Sequence, residues 1–174
     1  MPRPGGIDSP GRFAQALKRA DELVGINNKD VSLAIVAAHA HRLMALSLWQ
    51  ANRRADVTEH VAAAINMMAA THQAKPTAET QAAYAEVLLT SAELGKATGK
   101  PTSEIEATCL KAQGILAKEA LNSTYYRILD PWVRAHACLK QPEKVAQHQA
   151  RLTDMGYRAT EYTRFLSHNP ERKL

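Results

Sequence analysis

The feature that most constrains this chain is a helical pattern with regular breaks. Apolar residues recur at three- and four-residue spacing along nearly the whole sequence, and the pattern stops at "GINNKD", "KPT", "GKPT" and "NS". Between the breaks no stretch alternates with the two-residue period of a strand. Hydrophobic residues make up 45% of the chain but aromatic ones only 5%. Alanine is abundant, and that balance favours close-packed helices over a sheet, which draws on aromatic and β-branched residues. The expected fold class is all-α, built from antiparallel helical hairpins with about eight helices.

The spacing predicts helices over residues 12–24, 30–52, 53–73, 78–95, 102–121, 123–139 and 142–156, and a short one over 159–167. Phe13, Leu17 and Ala20 mark the apolar stripe of the first. Asp30 is placed to cap the second helix, and Thr77, after Pro76, the fourth. Pro142 suits a first-turn position. Residues 1–11 read as a flexible leader, 12–168 as one helical-repeat domain and 169–174 as a frayed tail.

"LGKATGKPT", residues 94–102, has the composition of a phosphate loop. A Walker-type loop needs four residues between its glycines, then Lys and Ser/Thr, and it follows a strand. Here three residues separate Gly95 from Gly99, Pro101 stands where Ser/Thr is required, and a helix precedes. The segment reads instead as a helix end capped near Gly95 or Gly99. A new helix then opens at Pro101-Thr102-Ser103, with Glu106 three residues after Ser103.

Formal charge is +5. Residues 1–54 carry eight Lys/Arg against four Asp/Glu, residues 55–139 seven against nine, and residues 140–174 seven against four. The basic ends leave nucleic acid open as a partner, against the plainer reading of an ordinary basic surface. Cys109 and Cys138 form no zinc pattern and lie inside helical patterns, where thiols behave as small apolar residues. The turn near Asn122 places them about equally far along two consecutive helices, so a disulfide stands as the alternative. The apolar stretch from Val31 to Trp49 is interrupted by Ser32, His39, His41, Arg42 and Ser47, which suits a buried helix better than a membrane span.

Long helices begin near residues 30, 78 and 123, and each is followed by a partner near 55, 102 and 142. In the first pair His41, Met44, Ala45 and Leu48 precede Val57, Val61 and Ala64; in the third, Leu129, Trp132 and His136 precede Val145, Gln149 and Leu152. This spacing resembles the tetratricopeptide family, although the interval is longer than that family's roughly 34 residues. The run from Tyr126 to Tyr162, with its "GYR", is similar to terminal hairpins attached to bacterial regulators and kinases. The resemblance implies a right-handed, tetratricopeptide-like α-solenoid and a binding or scaffolding role without catalysis.

Seven histidines invite a metal reading. His39 and His41 point to different helix faces, while His136 and His148, with Glu143 near, flank one turn; a site needs three or four convergent ligands. No nucleophile motif or paired carboxylate stands out. No enzyme activity, cofactor or metal is expected. The expected partner surface draws on aromatic and arginine anchors: Trp49 with Arg53 and Arg54, and Tyr125, Tyr126, Arg127 and Arg134, with Trp132 in the core. The expected function is a cytoplasmic protein-interaction or sensory scaffold, part of a bacterial regulatory or signalling system, that binds a peptide or protein. The alternative is a nucleic-acid-binding helical domain using its basic ends. Self-association through an edge hairpin is compatible with the first reading.

Overall fold

The computed structural model describes residues 9–27, 29–160, 162 and 163. Among them there is no strand. Seven α-helices follow one another: α1 (Ser9–Ile26), α2 (Val31–Gln50), α3 (Arg54–Ala74), α4 (Ala78–Ala97), α5 (Thr102–Ala120), α6 (Tyr126–Cys138) and α7 (Ala146–Asp154), with a 3₁₀ turn at Pro142–Val145. The segment expected to be one helix over 142–156 is instead a 3₁₀ turn opened by Pro142 plus α7, the two separated at Val145, whose φ of −123° and ψ of 8° are not helical. Residues 160, 162 and 163 are helical. The rest of the eighth expected helix, the tail and most of the leader lie outside the described residues.

The chain divides into two compact units, Met1–Val87 and Leu88–Leu174. In the first, α2 packs against both α1 and α3. Its buried face is mostly small: Ala34, Ala37, Ala38 and Ala45, with Met44 and Leu48. Alanine lets the helix backbones approach closely, and Val57, Ala64 and Met68 of α3 complete the contact. By length and composition α2 could also cross a membrane. In the second unit α6 packs against α5, the 3₁₀ turn and α7. Nine consecutive residues of α6, Ile128 to His136, are buried. A helix on a surface buries one stripe; α6 is covered on all sides from Ile128 to His136.

One device ends four of these helices. The residue after the C-cap turns left-handed, and two N–H groups close back on the last carbonyls. At "LGKATGKPT" that residue is Gly99, with φ 79°. Lys100 N–H donates to the Gly95 carbonyl at 2.9 Å and Gly99 N–H to that of Lys96 at 3.3 Å. Gly156 (φ 66°) serves α7, Asn52 (φ 60°) serves α2 and Lys140 (φ 58°) serves α6. The expected starts also form. Asp30 accepts from the N–H groups of Ser32 (2.9 Å) and Leu33 (3.2 Å). Thr77 and Thr80 cap one another. The expected Ser103–Glu106 box does not open α5, which begins one residue earlier with Pro101 as its cap and no side-chain bond.

Cys109 and Cys138 are joined in a disulfide, Cα atoms 6.2 Å apart, so the alternative prevails over two buried thiols. The antiparallel α5–α6 hairpin brings its arms together at that level. Closing a segment with a sequence separation of 29 residues restricts the unfolded chain by about 3–4 kcal/mol in the chain-entropy account. Reduction, or Cys138→Ser with Cys109→Ser, is expected to lower unfolding stability by roughly that amount, read as the shift in urea midpoint with and without dithiothreitol. Lys140→Gly is expected to act oppositely, raising stability by about 1 kcal/mol in the same assay, because glycine adopts positive φ without the Cβ penalty.

Candidate functional site

The sequence-predicted anchor residues fall into two groups, one in each unit. In the first unit, the guanidinium of Arg54 lies 4.8 Å over the ring of Trp49. Arg53 donates to Asp56 Oδ2 through Nε at 3.1 Å and Nη2 at 2.7 Å. Both arginines are exposed. With Asn52, Ala55 and Asp56 they line a shallow depression at the α2–α3 turn. The left-handed Asn52 makes that turn tight enough to stack Arg54 back on α2.

In the second unit, Tyr125 and Tyr126 stand at the start of α6. Their rings are 5.4 Å apart, and Tyr126 lies 5.3 Å from Tyr157. Tyr157 in turn lies 5.5 Å from the buried Tyr162. The row thus runs from the surface, where Tyr125 and Tyr126 are 43% and 41% exposed, into the core. Arg127 lies alongside, its Nε donating to Tyr126 Oη at 3.4 Å and its guanidinium 6.0 Å from that ring. Residues 121–127 are set by the α5–α6 turn, where Arg151 of α7 donates to the Ser123 carbonyl at 3.2 Å.

Arg134 is not on this surface. It was expected to line a groove, yet it is 3% exposed. One α-helical turn after Asp130, it donates through Nε to Asp130 Oδ1 at 2.8 Å, and its Nη1 lies 3.7 Å from Glu93 of α4. Tyr157 Oη donates to the other oxygen of Asp130 at 2.9 Å. The reason is positional: Arg134 falls on the sheathed part of α6, where a cation is tolerated only when its charge is met. Burial, with Asp130 close by, pushes Tyr162 up to about 12. The Asp130–Tyr157 link was missed from sequence. The spacing of Asp130 and Arg134, four apart, was the signal available for their pairing.

Trp132 is buried as expected, its ring 4.3 Å from His136 and 6.2 Å from His148, both edge-on. Gln113 Nε2 lies 3.1 Å from His136 Nε2. A second histidine pair joins the helices of the first unit. His41 Nε2 lies 3.3 Å from Asp21 Oδ1 of α1, and His41 Nδ1 lies 3.0 Å from His60 Nδ1 of α3. With Asp21 accepting from Nε2–H, neutral His41 offers a bare Nδ1, so His60 donates. Among the described residues no group of three or more His, Cys, Asp or Glu could hold a metal ion.

Comparison of the chain with protein-family models, with curated proteins and with solved structures finds no match. The tetratricopeptide resemblance therefore rests on helix spacing, and the arrangement established is all-α helical packing.

Three histidines titrate below their ordinary value of 6.5: His60 through burial and then His41, and His136 and His148 through burial. Above pH 6.5 they are neutral in both folded and unfolded chains. As pH falls below 6.5 the unfolded chain takes up protons that the fold refuses, so stability drops until the folded-state values are passed. Urea midpoints measured from pH 8 to pH 5 are expected to fall below about 6.5. His60→Gln, which keeps a donor, is expected to flatten part of that slope.

Proposed function

We infer that the chain is a protein-interaction module of tetratricopeptide-like helical hairpins, and that its partner docks at the exposed start of α6. The observation that carries this reading is the row of half-exposed tyrosines beside Arg127. Tyrosine and arginine are favoured at interface anchors: tyrosine adds large contact area with few rotamers frozen, and arginine adds a planar group with five donors. Leu121 and Met155, 64% and 48% exposed, add apolar area at the same end of the unit. We propose a scaffold or sensory role in a regulatory system as the use of this mode of binding. The depression at Trp49 and Arg54 is a second docking point in the first unit, and self-association through an edge hairpin is a further use of the same chemistry. A disulfide suits an oxidising compartment better than the cytoplasm first expected.

The second reading, nucleic-acid binding through basic ends, is favoured by one observation: Leu88–Leu174 carries thirteen Lys/Arg against nine Asp/Glu, a net of +4. Such binding weakens steeply with salt. Tagged full-length chain is mixed with source-cell lysate, with and without nuclease, at low and moderate salt. The interaction reading expects a discrete protein that survives both treatments. Its affinity for purified chain falls about 5- to 30-fold on Tyr126→Ala, the loss of roughly 1–2 kcal/mol typical of an anchor. Recovery of nucleic acid alone, lost as salt rises, would establish the second reading instead.

A further inference from the structure

Resting on the interaction reading above, we propose that the Cys109–Cys138 bridge is a redox latch on that surface: its reduction lets the 3₁₀ turn and α7 leave α6, which removes the support beneath Tyr126 and abolishes docking there.

The first observation is where the bridge sits. Cys138 is the last residue of α6, and its partner Cys109 lies on α5. The bridge therefore fixes the end of α6 from which the chain leaves for the 3₁₀ turn and α7. That end has weaknesses of its own. Pro131 lies inside α6 and has no N–H to give the helix ladder, so the last turns are joined to the first by one bond fewer. Lys140, two residues past the bridge, holds φ 58°, a left-handed conformation that is unfavourable for any residue with a Cβ.

The second is how little else holds the segment that follows. α7 has nine residues, and neither it nor the 3₁₀ turn has a side-chain cap. A helix shorter than about 12–15 residues is marginal in water by itself, so α7 depends on docking. Among the described residues, the 3₁₀ turn and α7 pack on α6 and on each other. The side chains they bury are Val145, His148 and Leu152, two apolar and one polar. A segment with so small an apolar face belongs to the part of a fold that opens first.

The third is what that segment carries to the tyrosine surface. Arg151 of α7 donates to the Ser123 carbonyl at 3.2 Å, fixing the turn before Tyr125. Tyr157, just past α7, places its ring 5.3 Å from Tyr126 and its hydroxyl 2.9 Å from Asp130 Oδ2 of α6. Undocking α7 withdraws these contacts together.

The chemistry is thiol–disulfide exchange with an external dithiol. Cys109 is fully buried and Cys138 half-buried, so the attacking thiolate reaches Cys138 Sγ. A mixed disulfide forms, and Cys109 leaves as a thiolate and takes a proton. The second thiol of the reductant then displaces Cys138, which is protonated in turn. Two electrons pass to the protein, and the reductant closes to its own disulfide.

The test uses the full chain oxidised, reduced with dithiothreitol, and as Cys109→Ser/Cys138→Ser. Hydrogen exchange read by mass spectrometry is expected to quicken at least tenfold over residues 139–157 in the last two, with α5 and the first turns of α6 unchanged. Reoxidation of the wild type should restore the slow exchange. Unchanged exchange over 139–157 would overturn the latch. Equal quickening throughout α5 and α6 would make the bridge a general staple and overturn it as well. Docking is read with twelve-residue peptides selected by phage display on the oxidised chain and kept only where Tyr126→Ala weakens them. They are expected to bind the reduced chain at least tenfold more weakly. Leu152→Ala, which loosens α7 with the bridge intact, is expected to weaken them in the same direction. Opening of 139–157 with peptide binding intact would overturn the control of docking and leave the interaction reading standing. Failure to select any Tyr126-dependent peptide would overturn the interaction reading, and the exchange data would then judge the opening of α7 alone.

Discussion

The burial of Arg134 is the constraint on which the second unit turns. An uncompensated guanidinium inside a protein costs several kcal/mol, so its neighbours are fixed by necessity. Asp130 meets it from one turn earlier on α6, and Glu93 meets it from α4. The second oxygen of Asp130 is taken by the hydroxyl of Tyr157, beyond the end of α7. One ion pair thus ties α4, α6 and the segment after α7 to a common point. Tyr157 is held there, and its ring supports Tyr126 at the surface. The row behind the exposed tyrosines thus ends on a buried charge. The first unit buries Arg42 to the same degree, 3% exposed, with Glu86 of α4 at 3.9 Å.

Around these charges the packing is made of small residues and local turns. Helices of alanine approach closely but bury little area each, so side-chain links between neighbours carry a larger share of specificity. The Cys109–Cys138 bridge joins α5 to α6, and the His41 contacts join α1, α2 and α3. Left-handed turns at Asn52, Gly99, Lys140 and Gly156 end four helices within a single residue. Where each helix stops is then a matter of local backbone chemistry, and where it points follows from what it must bury.

Much of this was legible in advance. The caps at Asp30 and Thr77, the break at Gly99 and the opening at Pro142 are local events, decided by residues within four positions of each other. Trp132 was assigned to the core by its place in the helical stripe. Tyr125 and Tyr126 were named as partner-facing candidates, with the core as the alternative for one of them; both are exposed. Arg134 shows where such reading stops. An arginine is exposed in most settings, and only the sheathing of α6 by three neighbours reverses that preference here. The disulfide is similar: spacing permitted it, but a bridge needs two Cα atoms within about 7 Å.

For the described residues, the sequence alone determined the all-α class and most helix ends to within two residues, missing the starts of α1, α6 and α7 by three or four, because periodicity and capping act over a single turn. The tertiary structure decided what lies inside. It buried Arg134, joined Cys109 to Cys138, set His41 against His60, and brought Tyr157 beneath Tyr126 from 31 positions further along the chain. Each of these pairs residues far apart in sequence, or buries a charge against its own preference. Such outcomes depend on which helix faces meet, and no local pattern carries that information.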